Sequence, residues 1–431
     1  MSSLSPKPDS SRQSLSKTDK PSEGTRPVSL DDIRVARKLL DGVARTTPLE
    51  GCRALTERIG GPVYLKCENL QRTGSFKIRG AYVRIAGLSE DERARGVVAA
   101  SAGNHAQGVA LAARLLGVGS TVFMPVGAPL PKIAATRGYG AEVLLEGSTV
   151  EDCLVAARAY AEKTGAVFIH PFDHPDIVAG QGTVGLEILE QCPEVRTILV
   201  GTGGGGLLAG IATAVKSLRP DVKVIGVQAA SAAAYPPSLA AGEPVALPSV
   251  TTMADGIAVG RPGDVPFSLI SELADGVRTV GEESLSQALL LCMERAKLVV
   301  EPAGAASVAA LLEAGGSQSY VTIEPPVVAV LSGGNVDPLL MLRVLRHGLA
   351  ASGRYLSLRV RIPDRPGALA TLLGELASTD ANVGNVTHVR TDASLQLGEV
   401  EVELQLETKG VEHCHEVMAA MTVAGYPVSE A

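Results

Sequence analysis

One lysine stands in a segment that could make it a nucleophile. Thr73-Gly74-Ser75-Phe76-Lys77-Ile78-Arg79-Gly80 places Lys77 between two apolar residues, just after Ser75, a residue type that often caps a helix. The positive end of the helix dipole disfavours an ammonium by about 0.3–1 kcal/mol, and burial adds to this effect. A lysine pushed toward its neutral form attacks carbonyls, which is the requirement for a Schiff base. Taken alone, a solvated lysine whose stem lies along the surface is the commoner interpretation.

A glycine loop forms the second candidate site. Thr202-Gly203-Gly204-Gly205-Gly206 follows a predicted strand and opens a predicted helix, so its N–H groups can converge on an anion. The residues Gly201, Gly203 and Gly206 also satisfy the dinucleotide spacing, but the next strand ends at Gln228, where such a site has an acidic residue. The lysine and hydroxyl of a nucleotide P-loop do not follow. The pattern therefore favours a phosphate group outside a dinucleotide, with a flexible glycine loop as the alternative.

Two more turns follow predicted strands. Ser101-Ala102-Gly103-Asn104-His105 exposes N–H groups where a carboxylate could bind, and Ser332-Gly333-Gly334-Asn335 places a hydroxyl at another strand end. An ordinary capped turn is an equally good interpretation of each. Glu301-Pro302-Ala303-Gly304 could be nothing more than the start of a helix.

The cysteines and histidines predict no metal site. His413 and His415 flank Cys414, but adjacent residues of a helix point apart. The chain has six cysteines, far apart and without the paired spacing of zinc or redox motifs. This cysteine usage fits a reducing compartment, and we expect a cytoplasmic protein.

Short β-rich runs alternate with Ala- and Leu-rich helical segments between about residues 28 and 350, which predicts an α/β fold with twisted, mostly parallel sheets covered on both faces. The predicted strands are Val97–Ala100, Thr121–Pro125, Glu142–Leu145, Val167–His170, Thr197–Val200, Val222–Val227 and Val327–Leu331. Helices such as Ala106–Leu116, Val150–Thr164 and Leu207–Leu218 run between them. Sites in open α/β sheets lie beyond the carboxyl ends of strands, where the three turns fall.

The pattern changes after Gly353. Leu358, Val360 and Ile362 alternate with polar residues, as in a strand that is buried on one face. Two helical segments, the second at Val411–Ala424, and further alternating strands follow. The order β-α-β-β-α-β over about 75 residues predicts a small ferredoxin-like unit.

Composition excludes several classes of protein. The 431 residues are 45% hydrophobic and 20% charged, which excludes wholesale disorder, and the net charge of −7 offers no basic face to nucleic acid. Apolar runs are too short for a membrane span. Residues 1–26 are rich in Ser, Pro, Lys and Asp and are predicted to be a disordered tail.

Together, the segment Ser75–Ala81, the turn Ser101–Gly108, the tetraglycine loop and the turn Ser332–Asn335 occur in the order seen in pyridoxal-phosphate-dependent threonine dehydratases. The chain resembles that family, whose fold is fold type II, similar to the tryptophan synthase β chain. The tail of the chain resembles an ACT regulatory domain, with Asp364-Arg365-Pro366-Gly367-Ala368-Leu369 at its first turn. The resemblance implies a catalytic unit over residues 27–350, with a small subdomain at about 66–165 inserted in the larger one, and an ACT-like unit over 355–431.

The resemblance also implies roles for individual residues. Lys77 would hold pyridoxal 5′-phosphate covalently and then remove the substrate's α-proton, while Ser332 would face the pyridine nitrogen. The implied cofactor-binding residues are Phe76, Lys77, Asn104, Gly203, Gly204, Gly205, Gly206, Gly256, Glu301 and Ser332. The implied substrate-binding residues are Ser101, Ala102, Gly103, Asn104 and His105. The implied regulatory residues are Asp364, Pro366, Gly367, Ala368 and Asn382.

The expected activity is that of a threonine ammonia-lyase, which forms 2-oxobutanoate and ammonia from L-threonine and acts also on L-serine. A serine or hydroxyaspartate dehydratase of the same family, or a catalytically silent amino-acid sensor, is the alternative. Serine racemase is similar in the lysine segment but has serine where this chain has Ala102, which favours elimination by one base. We further expect a homo-oligomer, a dimer or tetramer, regulated by isoleucine or valine and serving isoleucine biosynthesis or threonine catabolism. A requirement for a monovalent cation stays open.

Overall fold

The fold was analysed in a computed structural model, which describes residues 27–313, 322–390 and 395–430. The predicted tail, residues 1–26, lies outside these ranges. The strands are β1 Leu49–Gly51, β2 Val63–Lys66, β3 Val97–Ala100, β4 Ser120–Met124, β5 Glu142–Leu145, β6 Val167–Phe168, β7 Thr197–Gly201, β8 Lys223–Ala229, β9 Gly276–Val280, β10 Val327–Val330, β11 Tyr355–Pro363, β12 Asn382–Val389, β13 Glu399–Glu407 and β14 Val428–Glu430.

Sixteen α-helices connect these strands in the described ranges. They are α1 Leu30–Leu39, α2 Arg53–Ile59, α3 Lys77–Ala86, α4 Glu90–Arg95, α5 Asn104–Leu115, α6 Leu130–Gly138, α7 Val150–Thr164, α8 Pro175–Gln191, α9 Gly206–Leu218, α10 Tyr235–Ala241, α11 Asp264–Leu273, α12 Glu282–Leu291, α13 Pro302–Leu312, α14 Pro338–Ala351, α15 Ala368–Ala377 and α16 Val411–Val423. Short 3₁₀ turns include Arg72–Gly74 and Asp255–Ile257.

Two parallel sheets carry the α/β part of the fold. The large sheet has six strands in the order β1-β2-β10-β7-β8-β9, parallel except for the short edge strand β1. The small sheet has four parallel strands in the order β5-β4-β3-β6. The central strands β3, β7 and β10 are buried along their whole length, as their continuous apolar sequences predict. The predicted α/β architecture is confirmed.

Most predicted elements lie within two residues of the observed ones. Helix α7 begins and ends as predicted, because Thr149 and Asp152 form a capping box at its start and Gly165 takes a left-handed conformation after its end. Strand β6 was predicted to reach His170 but ends at Phe168. The chain turns there because the ring nitrogen Nδ1 of His170 accepts hydrogen bonds from the N–H groups of Phe172 and Asp173.

Helix α3 lies against both α5 and α8. Glycines allow the close approach: a Cβ at Gly108 of α5 would lie 3.1 Å from the Lys77 carbonyl carbon, and one at Gly180 of α8 would lie 2.6 Å from the Gly80 Cα. Larger side chains at these contacts would push α3 away. The first residue of α3 is therefore fixed relative to both sheets.

A buried ion-pair network also anchors α3. The guanidinium of Arg79 donates to both carboxylate oxygens of Glu68, at 2.8 and 2.9 Å, and to Glu187 at 2.7 Å. Lys66 donates to the other oxygen of Glu187 at 2.5 Å and to the Thr47 carbonyl at 2.9 Å. The network joins α3 to strand β2 and helix α8.

The C-terminal part folds around a sheet of its own. Its four antiparallel strands lie in the order β12-β13-β11-β14, with α15 and α16 packed on the core they share. The order of elements is the predicted β-α-β-β-α-β. No helix in the described parts of the chain is long and apolar enough to cross a membrane.

Candidate active site

Lys77 is the first residue of α3, and the helix is entered differently from the sequence prediction. Phe76 occupies the capping position and forms no side-chain cap, so the prediction that Ser75 caps this helix is wrong. Ser75 is extended and fully buried, and its backbone pairs with Gly333 at the end of β10. The bridge between these two segments, rather than a hydroxyl cap, sets where α3 begins.

The amine of Lys77 has a carbonyl partner and an aromatic neighbour. Its Nζ donates a hydrogen bond to the Pro171 carbonyl at 2.9 Å and lies 5.2 Å from the centre of the Phe76 ring. Loss of hydration lowers the pKa of Lys77 to about 8, against a smaller raising effect from the Glu301 carboxylate. The neutral, nucleophilic form is therefore well populated near neutral pH.

The tetraglycine loop presents four free amides at the start of α9. The N–H groups of Gly203, Gly204, Gly205 and Gly206 have no hydrogen-bond acceptor among the described residues, although the loop is largely buried. Buried N–H groups without acceptors are rare in folded proteins. Because they stand at a helix N-terminus, these four form a ready anion site.

Only glycine fits this loop. Gly205 has φ of +102°, and a Cβ there would overlap the hydroxyl of Tyr235. A Cβ at Gly204 would overlap the ring of Phe172. Since Phe172 follows Pro171, the same short segment touches the glycine loop and accepts the hydrogen bond of Lys77. Sequence reasoning missed Pro171, Phe172 and Tyr235, whose contacts are all distant in sequence.

Asn104 is held in one orientation by residues of the large sheet's loops. Its Nδ2 donates to Glu301 Oε1 at 2.6 Å, and its Oδ1 accepts from Asn335 Nδ2 at 2.8 Å. Asn335 also donates to the Thr73 carbonyl at 2.6 Å. Burial raises the pKa of Glu301, although the hydrogen bond from Asn104 opposes this. The chain of contacts leaves one N–H of the Asn104 amide for a further acceptor.

The turn Ser101–His105 lies at the end of β3, directly before Asn104 starts α5. Ser101 Oγ accepts the Gly103 N–H at 3.1 Å, and Ala102 is partly buried. His105 is buried with Nε2 at 2.8 Å from the Ile169 carbonyl, and burial lowers its pKa to about 3. His105 is therefore neutral and donates from Nε2, which fixes the first turn of α5 to the chain after β6.

Ser332 and Gly256 complete the predicted cofactor set. Ser332 is buried directly after β10, and its Oγ lies at the long distance of 3.5 Å from the Ala303 carbonyl. A Cβ at Gly256 would lie 2.8 Å from the Ala303 Cβ and 3.5 Å from Glu301 Oε1. The residues predicted for the cofactor and for the substrate carboxylate thus come from the carboxyl ends of strands in both sheets.

The predicted regulatory residues lie apart from these, in the C-terminal unit. Asp364 pairs with Arg390 at 3.3 Å, and Gly367 takes φ of +91° just before α15. Asn382 begins the edge strand β12 and donates to Glu407 at 3.1 Å. Pro366 and Ala368 stand in the same turn as Gly367, and Pro366 is exposed. The turn and the edge strand are accessible to a ligand or partner.

Comparison with known proteins gives the chain's relatives. Residues 40–333 match the family model described as pyridoxal-phosphate dependent enzyme. The chain is 47% identical to the L-threonine ammonia-lyase of Thermotoga maritima, over 93% of this chain and 99% of that one. It is 48% identical to the L-threonine ammonia-lyase of Geobacter sulfurreducens, over 89% of this chain and 94% of the relative.

Solved structures resemble the α/β part. A bacterial threonine deaminase, from the source abbreviated T.th., is 44% identical and covers 72% of this chain and 99% of its own, with a TM-score of 0.67. Maize serine racemase is 34% identical and covers 76% and 99%, with a TM-score of 0.70. Because the Thermotoga match spans more of the chain than either structure, part of it lies in the C-terminal unit.

The residues of the site fit pyridoxal phosphate by their own chemistry. The four unpaired amides suit a phosphate dianion, and the weakly basic amine of Lys77 suits an aldehyde. The free N–H of Asn104 suits a phenolic oxygen, and the Ser332 hydroxyl suits a ring nitrogen. Both the donor set and its spacing along the strand ends match the group that the family name implies.

The lowered pKa of Lys77 predicts how covalent capture depends on pH. Only the neutral amine attacks an aldehyde, so capture of pyridoxal phosphate, fixed by borohydride and read by absorbance, should rise with pH to a midpoint near 8. Glu301→Gln should move the midpoint down, because the carboxylate raises the pKa of Lys77. The exposed residue Lys163 supplies the control variant Lys163→Ala. A midpoint near the ordinary 10.5 would show that Lys77 is not desolvated.

The fit of the glycine loop makes a second prediction. Gly205→Ala imposes a left-handed alanine and an overlap with Tyr235, and strain of about 1–3 kcal/mol should weaken cofactor binding roughly 10-fold or more. Gly117→Ala is the matched control, since Gly117 has φ of +68° but open space around it. Equal affinities of the two variants in a fluorescence titration would argue against the loop as the phosphate site.

Proposed function

Since the chain belongs to the family of pyridoxal-phosphate-dependent enzymes, we propose that it is a threonine ammonia-lyase that converts L-threonine into 2-oxobutanoate and ammonia. One observation carries the proposal. The weakly basic amine of Lys77, four free amides and the Asn104 turn meet at one set of strand ends, in a chain 47–48% identical to two L-threonine ammonia-lyases.

The residues divide the work of β-elimination. When bound, pyridoxal phosphate withdraws electrons from the substrate's α-carbon. Lys77, with a pKa near 8, accepts the α-proton as a base of suitable strength at neutral pH. The amides of the Ser101–His105 turn hold the carboxylate, and Asn104, fixed by Glu301, orients the reacting end. Ser332 offers a neutral hydroxyl to the ring nitrogen, so it does not stabilise a positive charge there as a carboxylate would.

Ala102 favours elimination over racemisation. Racemisation needs a second acid or base on the face opposite Lys77, and an alanine side chain cannot exchange a proton. Maize serine racemase shares the fold at a TM-score of 0.70, so the fold itself does not decide between the two reactions. The distinction depends on single side chains in the turn after β3.

For the C-terminal unit, we propose an ACT-like regulatory role. Its support is the β-α-β-β-α-β order of elements and the exposed turn at Asp364–Ala368 beside the exposed edge strand β12. Isoleucine or valine is the proposed effector, and Asp364, Gly367 and Asn382 are its proposed contacts. An effector must bind the active and inactive states unequally to have any effect.

Other features of the chain stay predictions. They are the division at residues 27–350 and 355–431, the inserted subdomain at about 66–165, a homodimer or homotetramer, a monovalent cation, a cytoplasmic location and a role in isoleucine biosynthesis or threonine catabolism.

Purified protein should release 2-oxobutanoate and ammonia from L-threonine, and Lys77→Ala should abolish this release because the base is lost. Lys163→Ala should leave it unchanged. A panel with L-serine and hydroxyaspartate ranks the substrates, since one methyl group is worth about 1–3 kcal/mol of discrimination. Full turnover by Lys77→Ala would disprove the mechanism, and amino-acid binding without turnover by the parent protein would favour a silent sensor.

Regulation through the C-terminal unit can be tested by truncation. A chain that ends at Gly353 should keep threonine turnover and lose any response to isoleucine or valine, because the proposed effector contacts lie beyond that residue. Dose–response curves of initial rate measure this. A response of unchanged size in the truncated chain would place the effector site in the α/β part.

A further inference from the structure

We propose that Lys132 is a positioning residue for the amino-acid substrate, acting through an ion pair with Asp255 that joins the two parallel sheets. The inference rests on the proposed function, because the substrate it concerns is the one proposed there. Neither residue belongs to the motifs that the sequence analysis singled out.

The ion pair crosses between the two sheets. Lys132 lies on α6, which packs on the small sheet, and Asp255 begins a 3₁₀ turn among the loops of the large sheet. Lys132 Nζ lies 3.5 Å from Asp255 Oδ2. The Lys132 side chain is only 13% exposed, whereas that of Asp255 is 69% exposed. A long, flexible lysine is thus held down across the cleft toward a partner at its rim.

On the small-sheet side, α6 is rigidly tied to the carboxylate turn. Ile133, the neighbour of Lys132, shares a core with Ala106 and Ala110 of α5. Helix α5 begins at Asn104, within the turn Ser101–His105. Close-packed helices transmit a displacement rather than absorb it. A shift of α6 therefore shifts the amides that are proposed to hold the substrate carboxylate.

On the large-sheet side, Asp255 is tied to the wall of the site. The next residue, Gly256, packs so closely on Ala303 and Glu301 that a side chain would not fit. Lys132, Asp255, Gly256, Glu301 and Asn335 together line an open cleft of about 220 Å³. The ion pair therefore connects the carboxylate turn to the wall that carries Glu301.

Two polar links thus span the sheets, and they differ in strength. The Asn104–Glu301 hydrogen bond is short and sheltered, at 2.6 Å. The Lys132–Asp255 pair is longer and reaches solvent, so it can open and close as ligands enter. Exposed ion pairs contribute about 0.2–1 kcal/mol, which limits the expected effect to a few-fold change in binding. Lys132 should therefore affect substrate binding more than the chemical step.

A double-mutant cycle tests the inference in the full-length enzyme with L-threonine. Lys132→Met and Asp255→Asn should each raise KM roughly 3- to 10-fold and leave kcat within about twofold, because the carboxylate turn is less well held. The double variant should be no worse than Lys132→Met alone, since both changes remove the same pair. Lys216→Met is the matched control: Lys216 is 15% exposed and pairs with Asp275 at 2.8 Å, within the large-sheet region. It should leave KM unchanged.

Hydrogen exchange supplies a readout that does not depend on turnover. Amides of Leu130–Gly138 and of the Ser101–His105 turn should exchange faster in Lys132→Met than in the parent, and at the parent rate in Lys216→Met. Multiplying effects on KM in the double variant, a fall in kcat at constant KM, or unchanged exchange would overturn the role of the pair. Failure of the parent enzyme to act on L-threonine would refute the proposed function instead, and the exchange comparison would still decide whether the pair holds the turn.

Discussion

The position of α3 depends on a buried cluster of four charges. Arg79 and Lys66 are two cations, and Glu68 and Glu187 two anions, all of them buried. Burial alone would raise the pKa of Glu68, but Arg79 beside it more than offsets this and holds that pKa below its ordinary value. Desolvation of such a cluster is costly, and removal of one partner would leave an unpaired charge inside the protein. The cluster tolerates few arrangements, so it holds α3 in one position between β2 and α8.

The same helix shows how pairing sets reactivity. Arg79 has two carboxylate partners, whereas Lys77, two residues earlier, has a carbonyl and an aromatic ring as its nearest neighbours. A carbonyl is a weaker partner for an ammonium than a carboxylate, so desolvation dominates and the pKa of Lys77 falls to about 8. Charge is thus fully compensated where α3 must be anchored and only partly compensated where it must react.

The sequence allowed prediction of what depends on neighbouring residues. Strand ends, glycine loops and helix starts are local signals, and the strand-to-turn steps at Ser101, Thr202 and Ser332 lie where the sequence predicts them. What it did not reveal depends on distant contacts. Ser75 has the residue type of a helix cap, yet its backbone is drawn into a bridge with Gly333, which is far away along the chain. The carbonyl of Pro171 leaves no trace in residue type, because any residue has one.

The free amides of the glycine loop and the orientation of Asn104 follow one physical rule. Buried polar groups are normally satisfied within the protein, and those that are not must gain their partner from a ligand. The loop cannot satisfy its own amides, because Phe172 and Tyr235 occupy the space that acceptor side chains would need. Asn104 is the opposite case, since Glu301 and Asn335 fix both ends of its amide and leave a single donor direction. The fold thus keeps the anion-binding end of the site unsatisfied and the reacting end rigid, which makes ligand binding the step that completes its hydrogen bonds.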